Sequence, residues 1–282
     1  MNKDKLNSMV HKVSEGTGIV YNSVLAYFFM EDILLKISQS DYRDNFIFKG
    51  GFLLSNIVGI SSRATLDIDF LLKNEELSRK NVEKIFKNIL DNNVNAITYE
   101  IDSIESIREQ DFYGGFRVKL LAKFENLRQY IPLDIATGDI VTPKPINYDY
   151  KSIFSQEIIS VKAYPIETVI AEKLETIYSR GFLNSRSKDY FDLYLIWKLR
   201  AKEIDEEVLK EAIKNTFSYR NTEYNTEKFK DLINQLKENP VFKERWEAYR
   251  RKNNYVGNLE LVEVFDTILE LLLSLAENKN GS

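Results

Sequence analysis

The sequence predicts an α+β protein: an N-terminal domain, residues 1–160, built on a sheet flanked by helices, and an all-helical C-terminal domain, residues 161–282. Three observations carry that expectation. Short apolar segments surround a glycine pair and an aspartate pair between residues 45 and 73 (NFIFKGGFLLSNIVGISSRATLDIDFLLK). Three alternating segments follow in series between residues 96 and 140. Beyond Tyr164-Pro165, apolar residues recur at helical spacing almost to the end.

Taken in order, residues 19–38 (IVYNSVLAYFFMEDILLKIS) predict a helix packed behind the first strand. Residues 46–48 predict that strand, short and buried. The Gly50-Gly51 pair that ends it would let backbone amides approach a phosphate closely. Residues 66–72 predict a second strand. Because side chains alternate along a strand, Asp67 and Asp69 point one way, while Leu66, Ile68 and Phe70 point into the core. Two carboxylates on one open face make a divalent-metal site. Ser78 then caps a helix running to about residue 91, with Val82, Ile85, Phe86 and Leu90 on one face.

From residue 96 the pattern turns to β, with AITYEIDSI, FRVKLLAKF and QYIPLDIAT separated by the turn segments YGG and FEN. Three strands in series predict a meander that extends the sheet. In the last of them Ile131, Leu133 and Ile135 share one face, which leaves Asp134 on the other as a third carboxylate able to join the first two. The two-proline stretch VTPKPINYDY reads as a loop leaving the sheet. Helices are expected over 166–179, 187–199, 203–217, 226–237, 241–252 and 259–275.

Composition removes several chemistries. The 282 residues include no cysteine and one histidine, His11, in a polar segment where it reads as a surface residue. Disulfides, thiolate metal sites, cysteine nucleophiles and histidine clusters are excluded, and serine-histidine hydrolysis is disfavoured. General-base work falls to carboxylates or lysine. The N-terminal stretch lacks a signal-peptide core, and the most apolar run, LVEVFDTILELLLSLA, carries three acidic residues. The expectation is a cytoplasmic protein with no membrane partner, monomeric by default. A net charge of −4 gives no global attraction to nucleic acid, so any such contact must be local.

Two helices carry out-of-place charges. Ile166, Val169, Ile170, Leu174 and Ile177 form one stripe, and Lys173 falls inside it. A stem that packs while its ammonium reaches water is the bland account. The next helix is apolar nearly all round, yet includes Asp189 and Asp192, and buried carboxylates must be paired or functional. Asp189 sits in the first turn, where capping and pairing to Arg186 are sufficient explanations.

Four segments in order, KGG at 49–51, RATLDID at 63–69, AEKLETI at 171–177 and RSKDYFDLY at 186–194, resemble the AbiEii/AbiGii-type toxins of the nucleotidyltransferase superfamily, which have a DNA polymerase β-like fold. They span roughly the middle half of the chain. The resemblance implies that Asp67 and Asp69 bind Mg²⁺ and the triphosphate, that Gly50 and Gly51 cradle phosphate, and that Lys49, Arg63 and Thr65 support those contacts. It implies that Lys173 touches the triphosphate and that Asp189 helps position the nucleophile or base. The helical domain would then complete the active-site cleft. Asp134 is the secondary candidate, as metal ligand or base, while Asp192 reads as structural and Asp139 as a solvated turn residue.

The activity so implied is Mg²⁺-dependent transfer of a nucleotide from an NTP to RNA, the tRNA 3′ end above all, by a growth-inhibiting toxin of a toxin-antitoxin or phage-defence system with a separately encoded antitoxin. An acceptor that is a protein or an aminoglycoside-like small molecule is the alternative, and a non-catalytic GTP-binding switch a third. In KERWEAYRRKNNY, Arg245, Arg250, Arg251 and Lys252 lie among Trp246 and Tyr249, a candidate RNA contact beside the blander reading of a solvated charged helix.

Overall fold

The computed structural model describes residues 1–91, 96–107, 114–155 and 157–277. The chain divides into two compact units, one made of residues 1–139 and 145–164, the other of residues 140–144 and 165–282. Among the described residues, the first holds a seven-stranded mixed sheet with four α-helices, the second six α-helices.

In the first unit, α1 (Lys3–Thr17) and α2 (Tyr21–Ser38) precede β1 (Phe46–Lys49), which passes directly into α3 (Gly50–Val58). Then come β2 (Ile68–Leu72), α4 (Arg79–Leu90), β3 (Thr98–Ile107), β4 (Gly115–Phe124), β5 (Leu127–Ala136), β6 (Ile146–Lys151) and β7 (Ile158–Ala163). The sheet order is β3-β4-β5-β2-β1-β7-β6, with β1 parallel to β7, β2 parallel to β5, and the other neighbours antiparallel. Apolar residues make α2 a buried helix, with Val24, Phe29, Met30, Ile33 and Leu34 fully enclosed. Edge-on aromatic contacts among Phe46, Phe48, Phe52, Phe70 and Phe86 tie β1, β2, α3 and α4 together.

Most of the expected elements form, and the Ser78 hydroxyl caps α4 through the Asn81 N–H. Four differences have physical causes. The N-terminal segment is a helix: Asn2 caps it, left-handed Gly18 stops it, and only Leu6 and Val10 are buried, too sparse a stripe to stand out. The glycine pair and the stretch after it form a nine-residue helix, shorter than its periodicity can reveal. The second strand starts at Ile68, so Leu66 is 54% exposed and does not enter the core. The segment INYDY is no loop; it belongs to β6, whose partner β7 also went unpredicted. As an edge strand β6 buries only Tyr150, which hides its alternation. Tyr113, part of the expected YGG turn, lies outside the described residues.

The second unit comprises α5 (Ile166–Arg180), α6 (Ser187–Arg200), α7 (Glu206–Tyr219), α8 (Thr226–Glu238), α9 (Pro240–Lys252) and α10 (Leu261–Glu277). Side-chain caps fix three of the starts: Asp205 for α7, Asn225 for α8 and Asn239, followed by Pro240, for α9. The Asp205 cap explains why α7 begins three residues later than periodicity suggests. Among the described residues no single helix is long and apolar enough to cross a membrane.

One buried acid makes the sheet unit sensitive to pH. Glu31, on α2, accepts hydrogen bonds from the Tyr150 hydroxyl (2.9 Å), the Ile153 N–H (2.8 Å) and the Ser152 hydroxyl (2.6 Å). Burial outweighs those bonds and pushes its pKa up to about 7 from an ordinary 4.5. The folded state therefore holds a proton that the unfolded chain releases between those values. Stability from this group is complete below about pH 4.5, falls as pH rises to about 7 and is level above, a change on the order of 3 kcal/mol. Glu31→Gln copies the protonated acid, so urea unfolding of that variant should lose the slope over this window while the parent keeps it.

Candidate active site

Strand register builds a row of charges across the sheet. Lys49 on β1 lies opposite Asp69 on β2, Asp69 beside Asp134 on β5, and Asp134 opposite Arg117 on β4. Residues in register on adjacent strands share a face, so the four side chains stand in line with the two aspartates in the middle.

Gly50 turns the chain from β1 into α3 at φ +71°. A Cβ there would land 2.7 Å from the Cβ of Asp69 and overlap its carboxylate. Glycine is what lets Asp69 lie against the first turn of α3. Lys49, the residue before that helix, supplies no side-chain cap. A helix start brings N–H donors and partial positive charge to this point, the ordinary setting for an anion.

Asp67 is fixed from a different side. The Thr65 hydroxyl donates to Asp67 Oδ1, and the Thr65 N–H donates to the Tyr27 hydroxyl at 3.0 Å. Thr65 and Arg63 also back onto Gly51, where a Cβ would stand 3.0 Å from Thr65 Oγ1 and 3.3 Å from Arg63 Nη2. Arg63 is buried, with its guanidinium donating to the Ala64 carbonyl. Thus the residues expected around the phosphate, Gly50, Gly51, Arg63 and Thr65, gather around Asp67 and Asp69.

Lys49 is engaged otherwise. Its buried ammonium donates to Asp139 Oδ2 at 2.7 Å and to the Tyr164 hydroxyl at 2.9 Å, and lies 4.5 Å from the centre of the Tyr164 ring. Asp139 is accordingly no solvated turn residue; its side chain is 13% exposed and closes an ion pair. Asp134 stands beside Asp69 as its strand position predicts, but both its oxygens are bound by Arg117, at 2.7 Å from Nε and 2.8 Å from Nη2. That fork raises the Arg117 pKa, and the charges of Asp67 and Asp69 add to the effect. Arg117, Asp139, Tyr164 and Tyr27 were not picked out from the sequence. Only Arg117 left a signal there, as the polar residue next to Val118 on an alternating strand.

The donor set suits a hard divalent cation: two carboxylates separated by one residue, one fixed by Thr65 and the other lodged in the space that Gly50 leaves. Among the described residues no group of three or more His, Cys, Asp or Glu converges to hold a metal, so an ion here would complete its shell with phosphate and water oxygens.

In the helical unit, Lys173 on α5 reaches both acids of α6, with Nζ 2.6 Å from Asp192 Oδ2 and 3.2 Å from Asp189 Oδ1. Arg186 Nε stands 3.0 Å from Asp189 Oδ2, close enough for an ion pair but without hydrogen-bond alignment. Both carboxylates are almost fully buried, so the out-of-place charges of the two helices satisfy one another. On α9, Arg245 donates to the Asn184 carbonyl and Arg250 to Glu247 and Glu260. Trp246 is 1% exposed and packs as core, so it offers no stacking face to a base. Of the candidate RNA cations there, Arg251 and Lys252 are exposed.

The model of the family described as nucleotidyl transferase AbiEii toxin, type IV toxin-antitoxin system, matches residues 32–271. The chain belongs to the AbiEii toxin family. It is a nucleotidyltransferase toxin, and the family implies a nucleoside triphosphate as substrate and a separate antitoxin. Two solved structures share the fold. One is a protein from H. pylori to which nucleotidyltransferase activity has been ascribed (14% identity, TM-score 0.57, covering 93% of this chain and 100% of that one). The other is JHP933 from Helicobacter pylori (13% identity, TM-score 0.56, covering 91% and 92%). Comparison with curated proteins gives no match.

Two substitutions probe how this AbiEii toxin holds its charges. Gly50→Ala should destabilise by about 1–3 kcal/mol through its positive φ and its overlap with Asp69. Nucleotide transfer should fall further than the lost folded fraction explains, because Asp69 must move; transfer that tracks stability alone would refute this. Lys173→Met removes the cation that two buried carboxylates share, and denaturant unfolding should register a loss of about 3–5 kcal/mol.

Proposed function

We propose that this AbiEii toxin carries out Mg²⁺-dependent transfer of a nucleotide from an NTP to RNA, with the 3′ end of tRNA as acceptor. The observation that supports the reading best is the Asp69 carboxylate lodged against Gly50 at the start of α3, with Asp67 beside it. Asp67 and Asp69 would hold the ion, which when bound neutralises charge on the phosphates. Backbone N–H groups at Gly50 and Gly51 bind phosphate oxygens, Arg63 and Thr65 hold the aspartates' surroundings rigid, and Thr65 keeps the Asp67 carboxylate oriented.

In the transfer itself, an acceptor hydroxyl oxygen forms a bond to the α-phosphorus, the bond from that phosphorus to the oxygen bridging to the β-phosphate breaks, and pyrophosphate leaves. The hydroxyl proton passes to a base or to water. We assign Lys173 to the triphosphate and Asp189 to positioning the attacking group, following their match to the family's motifs. Growth inhibition follows because the terminal hydroxyl of the original tRNA end, which would accept an amino acid, is tied up in the new phosphodiester.

Incubation of the protein with Mg²⁺, each labelled NTP in turn and a tRNA pool is the test. Label should appear in tRNA with one or two of the four NTPs. Asp67→Asn should lower the rate at least about a hundredfold and relieve growth inhibition on expression. Label recovered in protein or in a small molecule, with tRNA untouched, would replace RNA as the acceptor.

A further inference from the structure

The charge row has a polarity that the transfer reaction can use. At one end, β1 runs into α3, where Gly50 and Gly51 lie against Asp69, Thr65 and Arg63. Asp67 and Asp69 come next, and β5 and β4 continue the row away from α3. With neighbouring strands about 4.8 Å apart, β4 lies roughly 10 Å from β2, on the side opposite the glycine pair. A triphosphate seated at the start of α3 fills one side of the aspartates. An acceptor must come from the other.

Arg117 stands on that other side. It is 48% exposed, and its fork to Asp134 uses Nε and one N–H of Nη2, two of the five guanidinium donors. The remaining three point away from the carboxylate that anchors them. Asp134 thus holds the guanidinium in one orientation without consuming it, the geometry that suits a second, bridging anion. Beyond it in register, Glu105 is exposed and accepts a hydrogen bond from Ser103. Register sets Arg117 two strands from Asp69, which places it near the reacting end of whatever it binds.

We propose that Arg117 binds a backbone phosphate of the acceptor RNA next to the attacking hydroxyl, and that Asp134 is the positioning residue that aims it. The inference rests on the reading of Asp67 and Asp69 as the transfer centre. It gives the Asp134 position a function that needs no third metal ligand: the carboxylate orients a cation toward the acceptor.

Binding and turnover test it separately. In fluorescence anisotropy with a fluorescein-labelled tRNA pool and no NTP, Arg117→Gln should weaken binding about tenfold. It should also lower the slope of log affinity against log salt by about 0.7, the share of one phosphate contact on a single strand. Asp134→Asn keeps the cation and should bind within about threefold of the parent with an unchanged slope; Arg117→Lys should fall between. In steady-state assays Arg117→Gln should raise KM for tRNA and leave KM for NTP as it was. Thermal unfolding of each variant separates these effects from loss of fold. Equal losses in Arg117→Gln and Asp134→Asn, an unchanged salt slope, or a KM effect confined to the NTP would overturn the proposal. If the parent binds tRNA through Arg117 but transfers nothing, the transfer reading fails and only the phosphate contact at Arg117 stands; if it transfers and Arg117 is dispensable, the transfer reading stands and the Arg117 contact fails.

Discussion

The contact on which the sheet unit depends is that between Gly50 and Asp69, two residues that cannot both carry a full side chain in the space they share. Because β1 and β2 are antiparallel neighbours, the end of β1 and the carboxylate of β2 meet at one point, and the chain must leave that point at positive φ to begin α3. The result places an acidic pair and the electropositive start of a helix within one small volume. Helix start and carboxylates invite opposite partners: the first an anion, the second a cation. A metal-bound triphosphate is both at once, which is why this juxtaposition suits a nucleotidyltransferase better than either a simple anion site or a simple cation site.

The flanking charges show how the rest of the row is kept from disturbing that pair. Lys49 is matched to Asp139 and Arg117 to Asp134, and Arg63 is enclosed behind Gly51. Four carboxylates, Asp67, Asp69, Asp134 and Asp139, face three cations, leaving a formal charge of −1 around the site. Lys49 is too well satisfied to be a first contact for phosphate: its ammonium has a carboxylate, a hydroxyl and an aromatic face, all within the fold. Its effect is indirect, in holding the end of β1 against the segment that carries Asp139. Arg117 is held through two donors only and stays half in solvent, so the two cations at either end of the row have different work despite their symmetric placing.

How much of this was legible depended on whether a residue's role is local. A spacing of two marks Asp67 and Asp69 as a pair, although β2 starts at Ile68 and leaves Asp67 just ahead of the strand, and Asp134 declares its face by the apolar residues on either side. The glycine pair marks a turn in any reading. What the sequence alone did not reveal are pairings made by register: that Lys49, Asp69, Asp134 and Arg117 fall in line follows from a strand order in which β5 sits beside β2 and not at the sheet's end. That order depends on long-range packing, and no short window of residues reports it. The edge strand β6 and the short helix α3 were missed for a related reason, since each buries too few residues to print a period.

In the helical unit the same logic runs in reverse. Lys173, Asp189 and Asp192 were conspicuous because charge sat where apolar residues belong, and the fold answers with an ion network among the three that also draws in Arg186. A buried network of this kind is a poor source of stability, since well-packed apolar residues of similar size serve at least as well. Its retention therefore asks for a further reason, and position supplies one. Lys173 is closer to Asp192 than to Asp189, so Asp192 is the nearer partner of the ammonium. Asp189, with its second oxygen facing Arg186, is the member whose hydrogen bonding is incomplete. A carboxylate fixed but not fully satisfied is compatible with the proposed positioning role of Asp189, with Asp192 as the closer partner of the ammonium.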